Sequence, residues 1–161
     1  IAKQIADVDF DIVYSSPLKR AYETACILRG DRDIPIIKDD RLREVNFGIN
    51  EGKCSLELKK DKNSPIYKFF EDPGNYQPPE GGESLHDVCK RTKEFMEEII
   101  EPQKDKLSNV LIAGHGAMNK GIMCHVLNHP IKEYWSGGLQ KNCGIIIVKL
   151  DENGYEKIGE I

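Results

Sequence analysis

His115 stands between two glycines at the end of an apolar run, in NVLIAGHGAMNKG (residues 109–121). Glycine is costly to order and shields nothing, so an imidazole set between two of them reads as presented to a ligand rather than packed. A second stretch has the same design. In VYSSPLKRAYETA (13–25) a short apolar segment again runs into small residues and then a helical pattern, with Arg20 in the first turn of that helix. A cation there opposes the helix dipole by something like ~0.3–1 kcal/mol, a conflict that a bound anion removes. Guanidinium is also the side chain whose planar fork fits phosphate. Each residue has a plainer reading, Arg20 as a solvated group or a partner of Glu23 or Glu44, and His115 as a core histidine satisfied by the backbone. The shared context favours chemistry, because both stretches are strand-to-helix turns. In a parallel sheet such turns lie at the carboxyl edge, where open α/β folds bind ligands and helix N-termini offer N–H groups to anions.

Competing motifs fail on single residues. A dinucleotide fingerprint starting at Gly114 needs glycine at 119, which is asparagine, and the Gly116–Gly121 spacing of a phosphate loop is followed by Ile122 and Met123 instead of lysine and a hydroxyl residue. His125 and His129 lie four apart beside Cys124, a spacing that could hold a metal. With Pro130 next and no carboxylate partner in the motif, they read as a helix C-terminus. No metal and no cofactor is expected.

Strands alternating with helices must position these residues. The sequence reads as a short strand through FDIVYSS, a helix capped by Ser16 with Pro17 at its first position and Gly30 at its end, and a strand at 34–39. Residues 48–82 form a weakly patterned, Pro- and Gly-rich lid or insertion in which Tyr67, Phe69 and Phe70 need a packing surface. A long amphipathic helix follows, capped by Ser84, burying Leu85, Val88, Thr92, Phe95, Met96 and Ile99, and stopping near Pro102. NVLIAG is the clearest buried strand, AMNKGIMCHVL the helix after it, and the chain closes as a hairpin about Asp151–Gly154. The expected fold is α/β in three layers, a mostly parallel sheet with helices on both faces.

The bulk composition fits one such domain over 1–161. Its 39% hydrophobic and 31% charged residues are ordinary for a folded protein, and the formal net charge of −4 gives no reason to expect nucleic acid or an anionic membrane as partner. No apolar run has the length of a membrane span. The five cysteines (Cys26, Cys54, Cys89, Cys124 and Cys143) are odd in number and hold no C-x-x-C, which argues for free thiols and a cytoplasmic location. The chain opens on Ile1, and IAKQIADVDF has the pattern of the last turns of a helix with Ile1, Ile5 and Val8 on one stripe, so the domain is expected to be N-terminally incomplete.

Taken in order, SSPLKRAYETA, LREVNFGINEGK, GGES, AGHG and NCGI resemble the histidine phosphatase superfamily, the phosphoglycerate mutase-like proteins, from Ile1 to about Val148. The resemblance implies a phosphoglycerate mutase-like fold and a metal-independent phosphomonoesterase acting on a small phosphorylated metabolite, with a homodimer as one expected assembly. On matching positions Arg20 would clamp phosphate, Glu44 would protonate the leaving oxygen, and His115 would steady the transferring group. The N–H groups of Gly116 and Ala117 would complete the anion cradle. Asn142 and Glu83 are further pocket candidates, Glu83 with a helix-capping role as its plainer reading.

One element of the family pattern is missing from these 161 residues. The family's nucleophile is the histidine of an Arg-His-Gly motif, and none of His86, His115, His125 and His129 lies in that context. The expectation is therefore a phosphatase whose nucleophile lies upstream of Ile1. A phosphate-binding relative without catalysis and a phosphoglycerate-type mutase are the other two readings. Asn50, where family members often carry an aromatic residue, bears on substrate rather than chemistry.

Overall fold

The computed structural model describes residues 1–53 and 55–161, with Ser55 and Leu56 described through their backbone. Cys54 lies outside the described residues. Strand β1 (Ile12–Ser15) is the centre of a parallel sheet in the order β2-β1-β3, flanked by β2 (Ile36–Lys38) and β3 (Val110–Ala113). Ile12 pairs with Val110 and Ser15 with Ala113, so β1 and β3 end at the same level. An antiparallel hairpin of β4 (Ile146–Asp151) and β5 (Gly154–Glu160) closes the chain.

The α-helices among the described residues are α1 (Lys19–Arg29), α2 (Ser55–Leu58), α3 (Pro65–Glu71), α4 (Leu85–Phe95) and α5 (Gly116–Val126). The period of two along β1 sorts them into layers. Val13 faces one side with Leu111 and Ala113, packing on Ala25 and Leu28 of α1, with Ile5 completing that cluster. Ile12 and Tyr14 face the other side and meet Phe95 of α4 and Met118, Ile122 and Val126 of α5. The three-layer α/β fold read from the sequence is the one observed.

Helix α5 is apolar nearly all round because it is buried on two sides. Its second face, through Ala117 and Cys124, joins Val45, Phe69 of α3, Tyr76, Leu85 and Val88 of α4, and Tyr134. Phe69 sits edge-on to Phe47, Phe70, Tyr76 and Trp135, which is where Phe69, Phe70 and Tyr76 of the 48–82 segment find their packing. The two ends of that segment meet in a bridge between Phe47 and Gly82. Gly48 is required there: its φ is +53°, and a Cβ would fall 2.1 Å from the Glu80 carbonyl oxygen.

Three local expectations need correction. Residues 1–7 form turns closed by i to i+3 bonds such as Gln4 N–H to Ile1 C=O at 2.8 Å, not helix, and only Ile5 of the expected stripe is fully buried. Ser16 does not cap α1, which begins two residues later than expected with Leu18 in the cap position; Pro17 therefore precedes the cap. The long helix leaves α geometry after Phe95 and continues as a π turn over Met96–Ile100 before Pro102. Its start is as expected, with a capping box between Ser84 and Asp87.

Candidate active site

The ends of β1 and β3 bring Ser16 and His115 together. Both are buried, and the Ser16 hydroxyl lies 2.8 Å from His115 Nε2. Ser16 Oγ also accepts the Leu18 N–H at 3.2 Å, which sets the turn leading into α1. Ser16 Oγ thus takes part in two hydrogen bonds, one with the Leu18 N–H and one with His115 Nε2. The ring is neutral: burial above all, and then the positive charges of Arg20, Arg91 and Arg43, hold its pKa near 4, down from 6.5.

These three arginines give the site its field. Arg20 occupies the first turn of α1, as the sequence indicated, and is exposed. Arg43 precedes Glu44 and meets Asp40 at 3.1 Å. Arg91, on α4, is fixed by both oxygens of Glu83, Nε to Oε1 at 2.6 Å and Nη2 to Oε2 at 3.0 Å, while Nη1 donates to the Arg41 carbonyl. Glu83 is thus an anchor for an arginine, and the helix cap belongs to Ser84 and Asp87 instead. Arg43, Arg91 and Ser16 were missed as site residues in the sequence; the spacing of eight between Glu83 and Arg91 gives no local signal, because their contact forms across the turn into α4.

Glu44 does reach the site. Its Oε1 accepts from Met118 N–H at 2.9 Å and Val45 N–H at 3.0 Å, and its Oε2 from Ala117 N–H at 3.4 Å. The carboxylate therefore sits on the N-terminus of α5, two residues from His115. In this structure the Ala117 N–H, one of the donors expected for the cradle, is directed at Glu44. The cause is electrostatic: α5 has no acidic residue in its own first turn, and its positive end draws a carboxylate from elsewhere in the chain.

The glycines about His115 have a packing role. Neither has positive φ. A Cβ on Gly114 would fall 2.0 Å from Met118 Cε, and one on Gly116 3.1 Å from Leu139 Cδ1, so their small size admits neighbouring side chains. Leu139 is exposed against Gly116, and the adjacent Gln140 is tied to α5 through Asn119 Nδ2 at 2.7 Å. Asn142 is exposed in the following turn, and the structure brings it into no hydrogen bond among the described residues. His125 pairs with Glu101 at 3.0 Å, which also accepts from the Tyr155 hydroxyl at 3.0 Å. Among the described residues no three His, Cys, Asp or Glu side chains converge as a metal-holding group. No helix among them is long and apolar enough to cross a membrane.

A family model described as histidine phosphatase superfamily (branch 1) matches residues 1–158. The chain belongs to the histidine phosphatase superfamily. Phosphoserine phosphatase 1 of Hydrogenobacter thermophilus is 28% identical over 152 residues, covering 94% of this chain and 70% of that protein. The 2,3-bisphosphoglycerate-dependent phosphoglycerate mutase of Cytophaga hutchinsonii is 34% identical over 119 residues, 73% of this chain and 55% of that protein. Among solved structures, Bacillus stearothermophilus YhfR superposes with a TM-score of 0.86 at 31% identity, covering 97% of this chain and 76% of its own. Superfamily membership places the chain among phosphatases and phosphoglycerate mutases.

Proposed function

We propose that this histidine phosphatase superfamily member is a phosphomonoesterase that hydrolyses a small phosphorylated metabolite through a phosphohistidine intermediate, the nucleophilic histidine preceding Ile1. The observation that carries the reading is the contact between Ser16 and His115 in the field of Arg20, Arg43 and Arg91. A neutral imidazole whose Nε2 takes the Ser16 proton has Nδ1–H free to donate to a phosphoryl oxygen, while Arg20 neutralises charge on the others. Phosphoryl transfer asks for this positioning and charge stabilisation more than for covalent assistance.

Glu44 has the remaining task. Acting as the general acid, the Glu44 carboxyl group donates its proton to the leaving alkoxide oxygen as the P–O bond breaks and the N–P bond forms. The carboxylate then takes a proton from water, whose oxygen attacks phosphorus as the N–P bond breaks, returning the free histidine and releasing inorganic phosphate. The N–H groups of Gly116 and Ala117 complete the cradle once Glu44 turns toward the leaving group. Glu83 contributes by holding Arg91. Asn142 reaches the pocket only if the exposed turn that carries it folds inward on substrate. The 48–82 segment, with its ends joined at Phe47 and Gly82, is read as the insertion over the site.

The reading carries with it a metal-independent, cytoplasmic enzyme, with a homodimer as one expected assembly. The longer match to a phosphoserine phosphatase favours hydrolysis, and the higher identity to a phosphoglycerate mutase favours mutase chemistry as the second reading. The deciding experiment is p-nitrophenyl phosphate hydrolysis by the protein expressed from its complete reading frame, with and without EDTA. Turnover that survives EDTA and is lost in His115→Ala is expected. Phosphate binding without turnover would transfer the assignment to a binding protein.

A further inference from the structure

Glu44 lies in the stretch 43–46, which belongs to no helix or strand, whereas Arg20 and the first turn of α5 are carried by helices. A group that must deliver a proton to one atom tolerates little play, since misplacement by about 1 Å costs about 10²-fold in rate. Leu42 and Val45, on either side of Glu44, are buried in different clusters, Leu42 with Tyr14 and Phe95 and Val45 with Phe69 and Tyr76. Apolar burial of this kind is non-directional, so it sets the depth of the stretch and leaves its orientation to polar contacts.

Those contacts converge on one ion pair. Arg91 donates from Nη1 to the Arg41 carbonyl, three residues before Glu44. Two residues after Glu44, the Asn46 carbonyl accepts the Glu83 N–H at 2.8 Å, and the Asn46 N–H faces Glu83 Oε2 at 3.5 Å. Arg91 and Glu83 close the ring through Nε to Oε1 at 2.6 Å and Nη2 to Oε2 at 3.0 Å. The Arg41 end is steadied in turn by its own side chain, which pairs with Asp39 and Glu98 at 2.7 Å each. Glu83 directly precedes the capping box of α4, and Arg91 stands on that helix, so both arms of the ring spring from one rigid element.

We propose that the Arg91–Glu83 pair is a positioning clamp for Glu44, gripping the 41–46 backbone at both ends so that the carboxyl group meets the leaving oxygen at one geometry. The proposal rests on the reading of Glu44 as the general acid. Neither member of the pair gives or takes the proton, which passes from Glu44 to the leaving oxygen as the P–O bond breaks. Glu44 turns from the N–H groups of Ala117 and Met118 toward the substrate by side-chain rotation, about a backbone that the clamp keeps still.

The test compares kcat/KM for phenyl phosphate and 2,4-dinitrophenyl phosphate in the complete protein, for the parent, Glu83→Gln, Arg91→Lys and Glu44→Gln. Phenoxide is a strong base that needs a proton as it leaves, 2,4-dinitrophenoxide departs without one, and both esters present the same phosphoryl group. In Glu44→Gln the loss on phenyl phosphate should exceed that on the dinitrophenyl ester by about 10²-fold. In Glu83→Gln and Arg91→Lys the excess should be about 10-fold or more, and either variant decides if the other does not fold. Equal losses on both esters in these two, with Glu44→Gln still selective, would overturn the clamp and leave the acid in place, making Arg91 a ligand of the phosphoryl group. Equal losses in Glu44→Gln itself would remove the acid, and the clamp with it.

Discussion

Nε2 of His115 and the hydroxyl of Ser16 are 2.8 Å apart, and they come from the ends of neighbouring parallel strands. Residues ninety-nine positions apart in sequence meet because β1 and β3 end in register, each handing the chain to a helix. The contact replaces water for a buried ring and fixes which nitrogen faces Ser16.

That burial has a consequence for stability against pH. The folded-state pKa of His115 is near 4, below its ordinary value of 6.5, so between those limits the unfolded chain binds more protons. Stability is therefore highest above about pH 6.5 and falls as pH drops toward 4, by on the order of 3 kcal/mol from this group. Urea unfolding of the parent and of His115→Asn at pH 7 and pH 4.5 measures the difference. The parent should lose more stability than the variant, and equal losses would place the ring's titration elsewhere.

Arg20 separates function from folding. Its side chain is exposed and, among the described residues, makes no ion pair, so Arg20→Ala should leave stability within about 0.5 kcal/mol. Removal of one charge-stabilising donor typically lowers kcat by about 10²–10³-fold. Thermal melts beside steady-state hydrolysis by the complete protein check both halves. A melt shifted as strongly as the activity would make Arg20 a structural residue.

Much of this arrangement was legible in the sequence, for identifiable reasons. The strands, the start of α4, helix α5 and the closing hairpin carry local periodicity and turn chemistry, and Arg20 and His115 stand out because each is anomalous in its own neighbourhood. What was not legible depends on contacts across the chain. Ser16 looks like a helix cap until His115 claims its hydroxyl. Glu44 looks like a surface carboxylate or a pocket acid, and its place on the N-terminus of α5 becomes visible only when residues 44 and 117 are adjacent. Arg43 and Arg91 carry no mark of convergence on His115, and the turns at 1–7 share their apolar spacing with a helix.

Arg91 is the support most open to a stability test. Its pairing with Glu83 is mostly shielded from water, with side chains 17% and 19% exposed. Arg91→Met leaves Glu83 without its partner and should cost roughly 2–3 kcal/mol, somewhat under the figure for a fully buried pair. Chemical denaturation of the single and double variants with Glu83→Gln reads the coupling, and additive losses would show that the pair is not acting as a unit.

Gly121 should tolerate no side chain. An added Cβ meets Thr92 and Val88 on the facing helix, neither of which is a flexible chain end. Gly121→Ala is expected to destabilise by about 1–3 kcal/mol despite the better helix propensity of alanine. A neutral or higher melting temperature would mean that α4 and α5 separate more easily than their packing indicates.

The central claim is that Arg20, Ser16, His115 and the N-terminus of α5 make one phosphate site. NMR observation of the His115 ring during titration with inorganic phosphate tests it most directly. A phosphate dianion against the imidazole should raise the His115 pKa from near 4, and Arg20→Ala should weaken the phosphate dependence by at least tenfold. Ring resonances that stay unmoved at saturating phosphate, or a response that Arg20→Ala leaves intact, would contradict it.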